Sequence, residues 1–353
     1  MAVKWSWSFG TENNDDLAEM GWDPYDTGNT YYSTQSSSPI YTYPGSPAGR
    51  KSVTLRREVP LIAPPKVLAS EGWVSVSFYC SDLFNEYGDR YHAIKVTDGG
   101  SGNSIKIYSD VSSAQTMILQ VGSTFDTSGS VTVSQNDWHT ISLQYSMTGT
   151  TWSARWYLDG AAVGSLTSAA IGSAATSDNL LVSVAGCSSD NDLLTHYGHI
   201  VSYDDWNDEG WKQVYVTRLQ PTQDLGAATV GSWTAVGAAT SAEAVESPFN
   251  TSSYSSNSAA SVGDKLGIGA AVSDTIMDQL NILSGSTIYG VTNHAFVTGS
   301  GASGSVGIGK VSSPGVISKG DFIFPDTSDV TYGYVTSGSF VTSDRPVMVY
   351  EVE

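Results

Sequence analysis

Apolar side chains recur at every second position along this chain, in runs too short to make the stripe of a helix. Residues 73–80 read Trp-Val-Ser-Val-Ser-Phe-Tyr-Cys, which puts Val74, Val76, Phe78 and Cys80 on one side of an extended backbone. Strand-like runs follow at residues 91–97, 104–108, 117–121, 138–145, 152–158 and 180–184. Between them lie turn-formers, among them Asp98-Gly99-Gly100 and the Asp159-Gly160 pair that favours a tight hairpin. A strand apolar on one face must bury that face against a second layer, so many short strands at regular spacing predict a β-sandwich.

Ahead of this region, residues 1–67 read as an extended N-terminal arm. Val3, Trp5, Trp7 and Phe9 alternate with Lys4, Ser6 and Ser8, the pattern of one strand with an apolar face. Residues 13–47 are rich in Asp, Asn, Ser, Thr, Tyr and Pro and cannot bury a core of their own. The expectation is an assembly arm that lays Val3, Trp5, Trp7 and Phe9 along the sheet edge or groove of a neighbouring protein.

Beyond the sandwich, residues 226–275 are dominated by small residues. Ser273 to Leu280 reads as a short helix, and strands are expected over 287–298, 304–311, 321–324 and 346–352. The domain expectation is therefore an arm at 1–67, a sandwich at 68–224 and a smaller β domain at 225–353.

Charge narrows the partners. Sixteen Lys and Arg against 35 Asp and Glu leave a formal charge of -19, which repels nucleic acid and anionic membrane surfaces. No apolar run approaches the ~20 residues that span a bilayer, and the start lacks a basic segment followed by an apolar one, so synthesis in a cytoplasm without membrane insertion is expected. Cys80 and Cys187, the only two cysteines, sit in apolar surroundings that suit core packing.

Several of these segments occur in a telling order. Gly72-Trp73 opens an alternating strand, Asp137-Trp138-His139-Thr140 opens another, and residues 155–160 form an Arg-Trp-Tyr-Leu-Asp-Gly hairpin. His199 to Tyr203 then closes the set before Asp204-Asp205. This order resembles the laminin-G-like, concanavalin-A-like jelly roll, and the resemblance implies an all-β sandwich without implying an activity. From Val214 to Asp224, and on through Trp233 and residues 243–248 to Asp264, the chain is similar to uncharacterised structural proteins of tailed-bacteriophage virions in which a smaller β domain follows the jelly roll.

Motifs that could carry chemistry are incomplete. Residues 299–304 match GxGxxG and residues 304–310 most of a phosphate loop, but Val311 stands where magnesium binding needs Ser or Thr, and the flanking alternation points to a hairpin. The E-x-D-x-E strand by which glucanases of this fold place an acid beside a nucleophile is missing. Asp205, Asn207 and Glu209 resemble half a calcium loop, whose twelfth position falls on Val216, so no cofactor is expected beyond calcium at that rim. His196 and His199 are three apart, which on a regular strand places them on opposite faces. No base-nucleophile pairing is evident among the five histidines.

These readings combine into an expectation: a non-catalytic accessory protein on the virion surface, as capsid decoration or tail component. Its expected partners are other virion proteins and copies of itself, with a trimer as the working guess. The alternative is an adhesin that binds host surface glycan through Tyr203, Trp206 and Trp211, whose rings suit sugar stacking.

Overall fold

In a computed structural model, the described residues are 3–9, 17, 22–24, 32–35, 52–55, 60–80, 92–110, 115–126, 129–168, 171, 174–186, 195–206, 216, 221–244, 254–269, 287–299, 303–310, 313–324, 331–338 and 340–353. The chain divides into two compact units, residues 6–217 and residues 218–353, with residues 2–5 grouped with the second. The division falls seven residues before the 224/225 boundary expected from sequence, and the first 67 residues do not form a unit of their own.

Strand β1 (Val3–Ser8) begins in the residues grouped with the second unit and ends in the first. The first unit is a sandwich of antiparallel strands: β2 (Asp23–Pro24), β3 (Tyr32–Gln35), β4 (Ser52–Leu55), β5 (Leu61–Ile62), β6 (Glu71–Cys80), β7 (His92–Asp98) and β8 (Ser104–Ser109). It continues with β9 (Thr116–Val121), β10 (Thr124–Phe125), β11 (Val131–Thr132), β12 (Asp137–Ser146), β13 (Trp152–Leu158), β14 (Ala161–Ser168), β15 (Leu180–Val184) and β16 (Thr195–Tyr203). One sheet runs β14-β13-β12-β6-β16-β4-β3 with β1 beside β16. The other runs β10-β9-β8-β7-β15-β5-β2 with β11 beside β9. Each sheet draws strands from both halves of the unit, the pattern of a concanavalin-like jelly roll.

Alternation decides the layers. Val74, Val76 and Phe78 stand in register with Leu143, Ile141 and His139, and Tyr197 faces Phe78 from the other side. The Tyr197 hydroxyl donates to the Ala93 and Ala185 carbonyls of the opposite sheet at 2.9 and 2.7 Å, so this face forms the core. Trp152 and Trp156, on the face of Leu143, are wholly buried. At roughly 25 cal/mol per Å², removing such side chains from water is the main force that holds the sheets together. At Gly72 (φ 151°) a Cβ would meet the Tyr203 carbonyl at 2.0 Å, so β6 and β16 can approach only because the residue is glycine. The expected hairpin forms at Asp159 (φ 50°) and Gly160 (φ 80°), both in the left-handed region that a tight β-turn needs.

The expected arm is corrected. Val3, Trp5, Trp7 and Phe9 are all buried within their own chain, and strands β2 to β5 are members of the two sheets. Phe9 donates its backbone N–H to Gly198 and packs with Trp7 around Trp22, at ring distances of 5.1 and 5.6 Å from it. Buried rings cannot also fill a neighbour's groove.

The second unit holds β17 (Gln223–Asp224), β18 (Thr234–Val236), β19 (Tyr254–Ser256), β20 (Lys265–Gly269), β21 (Val291–Val297), β22 (Gly304–Lys310), β23 (Ser313–Phe324), β24 (Thr331–Ser337) and β25 (Pro346–Val352). Its main sheet is β17-β20-β25-β22-β23, accompanied by the pairs β18-β19 and β21-β24. A one-turn helix, Ser241–Ala244, is capped by Asp224, whose two carboxylate oxygens accept from the N–H groups of Ala242 and Ser241. The glycine-rich run at 304–310 is a strand paired on both sides, so it offers no helix start to a phosphate. The helix expected at 273–280 lies outside the described residues.

Candidate functional sites

The sequence-expected residues scatter. Tyr203 is 2% exposed because β16 runs through it and pairs it with Trp73, so it is not available to a glycan. Trp206 and Asp205 are half-buried, and the Trp206 carbonyl accepts a hydrogen bond from the Gln144 amide. Asn207, Glu209 and Trp211 lie outside the described residues, as does Cys187. Among the described residues no group of three His, Cys, Asp or Glu side chains is placed to hold a metal. The histidine expectation is also corrected: a register shift between Tyr197 and His199 sets His196 against Tyr79 and His199 against Ser77, which are alternate residues of β6. The two histidines therefore share the face turned away from the core.

In the second unit, the β21-β24 ladder pairs His294 with Tyr334 and Phe296 with Tyr332. The alternate residues Ala295 and Val335 join Val306, Ile308 and Phe340 in a core cluster, and the Asn293 amide donates to the Gly307 carbonyl at 3.2 Å. Period-two geometry then sends His294, Phe296, Tyr332 and Tyr334 to the opposite face, where all four are half-buried. His294 stacks on Tyr332 at 6.0 Å and 16°, and Phe296 lies 5.2 Å from Tyr332. Trp5 closes one side, edge-on to His294, with its indole N–H donating to the Tyr332 hydroxyl at 3.1 Å. Burial pushes the Tyr334 hydroxyl up to about 12, so it stays a donor at neutral pH. Sequence reasoning missed this face, although His294-x-Phe296 and Tyr332-x-Tyr334 carry the alternation that could have revealed it.

In the first unit, the loop before β12 meets the β13-β14 hairpin. His139 Nδ1 lies 2.7 Å from Asp159 Oδ2, and His139 Nε2 lies 2.9 Å from the Ser134 hydroxyl and 3.1 Å from the Ser134 carbonyl. Asp159 Oδ1 accepts the Thr140 N–H at 2.8 Å, which fixes the carboxylate. His139 is nearly buried, Asp159 is 43% exposed and Ser134 is exposed. Burial alone would lower the imidazole's pKa, but the Asp159 hydrogen bond and charge, the Ser134 carbonyl and Asp137 outweigh it and raise it. Burial would likewise raise the Asp159 carboxyl, yet the His139 and Thr140 hydrogen bonds and the His139 charge hold it below its ordinary value. Separations of five and twenty residues hid from sequence reasoning this hydrogen-bonded set of a hydroxyl, an imidazole and a carboxylate, which the hairpin brings together.

No protein-family model matches this chain, and no curated protein sequence matches it. Among solved structures it resembles an endo-β-1,4-glucuronan lyase from the fungus Trichoderma reesei, at 12% identity over 59% of this chain and 98% of that one, TM-score 0.39. It also resembles a carbohydrate esterase from the Shiga toxin-encoding bacteriophage phi24B, at 15% identity over 57% and 97%, TM-score 0.36. A third is the catalytic domain of a glycoside hydrolase family 131 protein from Coprinopsis cinerea, at 13% identity over 58% and 95%, TM-score 0.39. The expectation of a non-catalytic chain is corrected: these three are named as a lyase, an esterase and a glycoside hydrolase catalytic domain.

Proposed function

We propose that this chain is a glycan-recognising surface protein of a bacteriophage particle, with the outer face of β21 and β24 as its sugar-contact surface. The observation that carries the reading is the set of four half-buried aromatic side chains, His294, Phe296, Tyr332 and Tyr334, aligned on one side of a two-stranded ladder. Flat rings bury the C–H faces of a pyranose at low entropic cost, and His294 and Tyr332, bonded to each other at 2.8 Å, hold the ring set in place. The charge of -19 favours neutral over anionic sugar chains, since like charges raise the cost of approach. Its place on the virion surface, with other virion proteins and further copies of itself as neighbours, follows from the resemblance in segment order described above.

The test is a glycan array on the purified chain, followed by titration of a positive oligosaccharide against wild type and Tyr334→Ala. Loss of one stacking partner is expected to weaken binding about tenfold, on the order of 1 kcal/mol. Blank arrays, or a Tyr334→Ala variant that binds as wild type does, would remove the ladder from the reading.

A further inference from the structure

The hydrogen-bonded chain Ser134–His139–Asp159 contributes nothing to the aromatic ladder, and its parts are in the order that nucleophilic catalysis requires. A serine hydroxyl is a poor nucleophile until a neighbouring base takes its proton, and the base must be held by a third group in the tautomer that leaves the facing nitrogen unprotonated. Asp159 does this from the far side: when its Oδ2 accepts Nδ1–H of the neutral ring, Nε2 presents its lone pair to the Ser134 hydroxyl at 2.9 Å, and when Nε2 is protonated it donates to the Ser134 carbonyl at 3.1 Å. Backbone geometry holds the carboxylate in turn, through the Thr140 N–H and the left-handed Asp159-Gly160 turn. Ser134 is exposed on a loop, so a substrate can reach it.

We infer that Ser134 is the nucleophile of an acyl-transfer site, with His139 as general base and Asp159 as its positioning residue, acting on an ester such as an O-acyl group of a glycan. The choice of a glycan ester rests on the function proposed above; the triad itself does not.

Ser134 Oγ attacks the ester carbonyl carbon while its proton passes to His139 Nε2. The imidazolium so formed is stabilised by Asp159 on one side and by the Ser134 carbonyl, 3.1 Å from Nε2, on the other. Collapse of the tetrahedral adduct breaks the bond to the leaving alkoxide, which takes the Nε2 proton and departs as an alcohol. Water, deprotonated by the same nitrogen, then cleaves the acyl-serine to release the carboxylic acid and restore the hydroxyl.

The experiment uses the full chain with a fluorophosphonate probe, which reacts with activated serines and needs no sugar, followed by peptide mapping. Ser134 is expected to be modified at least tenfold faster than any other serine. Ser134→Ala should abolish that modification and the hydrolysis of 4-nitrophenyl acetate, while Gln135→Ala leaves both unchanged. Asp159→Asn should slow modification at least tenfold and move the midpoint of its pH profile downward, because the ring loses the larger of its two carboxylate neighbours and keeps Asp137. Modification of Ser134 no faster than other surface serines, or ester turnover that survives Ser134→Ala, would overturn the inference. Ser134 modification with no release of acid from acylated polysaccharide would leave the triad standing and count against the glycan ester as its substrate.

Discussion

Trp152 and Trp156 in the first unit are wholly buried, whereas the second unit keeps Phe296, Tyr332 and Tyr334 half-buried on the face that Trp5 flanks. Among the described residues its core clusters are modest: Ala295, Val306, Ile308, Val335 and Phe340 form one, and two smaller sets gather around Val347 and around Leu266 with Ile268. The contrast separates two uses of an aromatic ring. Enclosed in the core it provides stability; half-buried on a short ladder it leaves part of its face for the binding proposed above.

The comparison can be broken most directly by truncating one ring in each unit. Trp156→Ala is expected to cost about 3–5 kcal/mol and to lower the first unit's melting transition by roughly 10 °C. Phe296→Ala should cost about 1 kcal/mol or less, since its ring is half in water already. Calorimetry that found the two losses equal would end the distinction between buried and displayed aromatics.

Acid should act on the first unit next. His196 is 3% exposed, with Nδ1 2.8 Å from the Thr54 hydroxyl, and burial pulls it down from 6.5 to about 4. Its neutral form is favoured by folding, so the unfolded chain binds the extra proton and stability falls as pH drops from 6.5 towards 4. The loss reaches about 3 kcal/mol as an upper figure. His196→Gln should make this acid arm shallower in thermal melts taken across that range, with His92, which burial lowers to about 3, supplying the remainder; an unchanged arm would show that the loss arises elsewhere.

The smallest effect concerns the His139–Asp159 pair. Because His139 is raised, its contribution is complete below 6.5 and is lost as pH climbs through the folded value. The Asp159 contribution runs the other way, present above its unfolded value and lost as pH falls through the depressed one. With Asp159 43% exposed, solvent screening limits the alkaline loss to about 1 kcal/mol or less. Asp159→Asn should remove that dependence from the first unit's transition, and an equally sloped profile in the variant would argue that the pair is not coupled.

Much of the fold was legible in the chain. Residues 180–184 and 346–352 are strands at the positions the alternation indicated, and the Asp159-Gly160 hairpin follows from two residues that tolerate positive φ. The arm was misjudged because alternation reports only that one face of β1 must be covered; whether the cover comes from the same chain or from a neighbour depends on contacts hundreds of residues away, such as that of Trp5 with Tyr332. β24 escaped notice altogether, and with it half of the aromatic ladder.

Local chemistry therefore determined that this chain is built of β-strands, where several of them turn and which of their faces is apolar, because backbone geometry and side-chain alternation act over a few residues. Only the tertiary structure decided that His196 and His199 share a face, through a register shift beside Gly198, and that Ser134, His139 and Asp159 meet. Register and strand order are set by pairing between distant segments, and no short stretch of sequence contains both partners of such a pair.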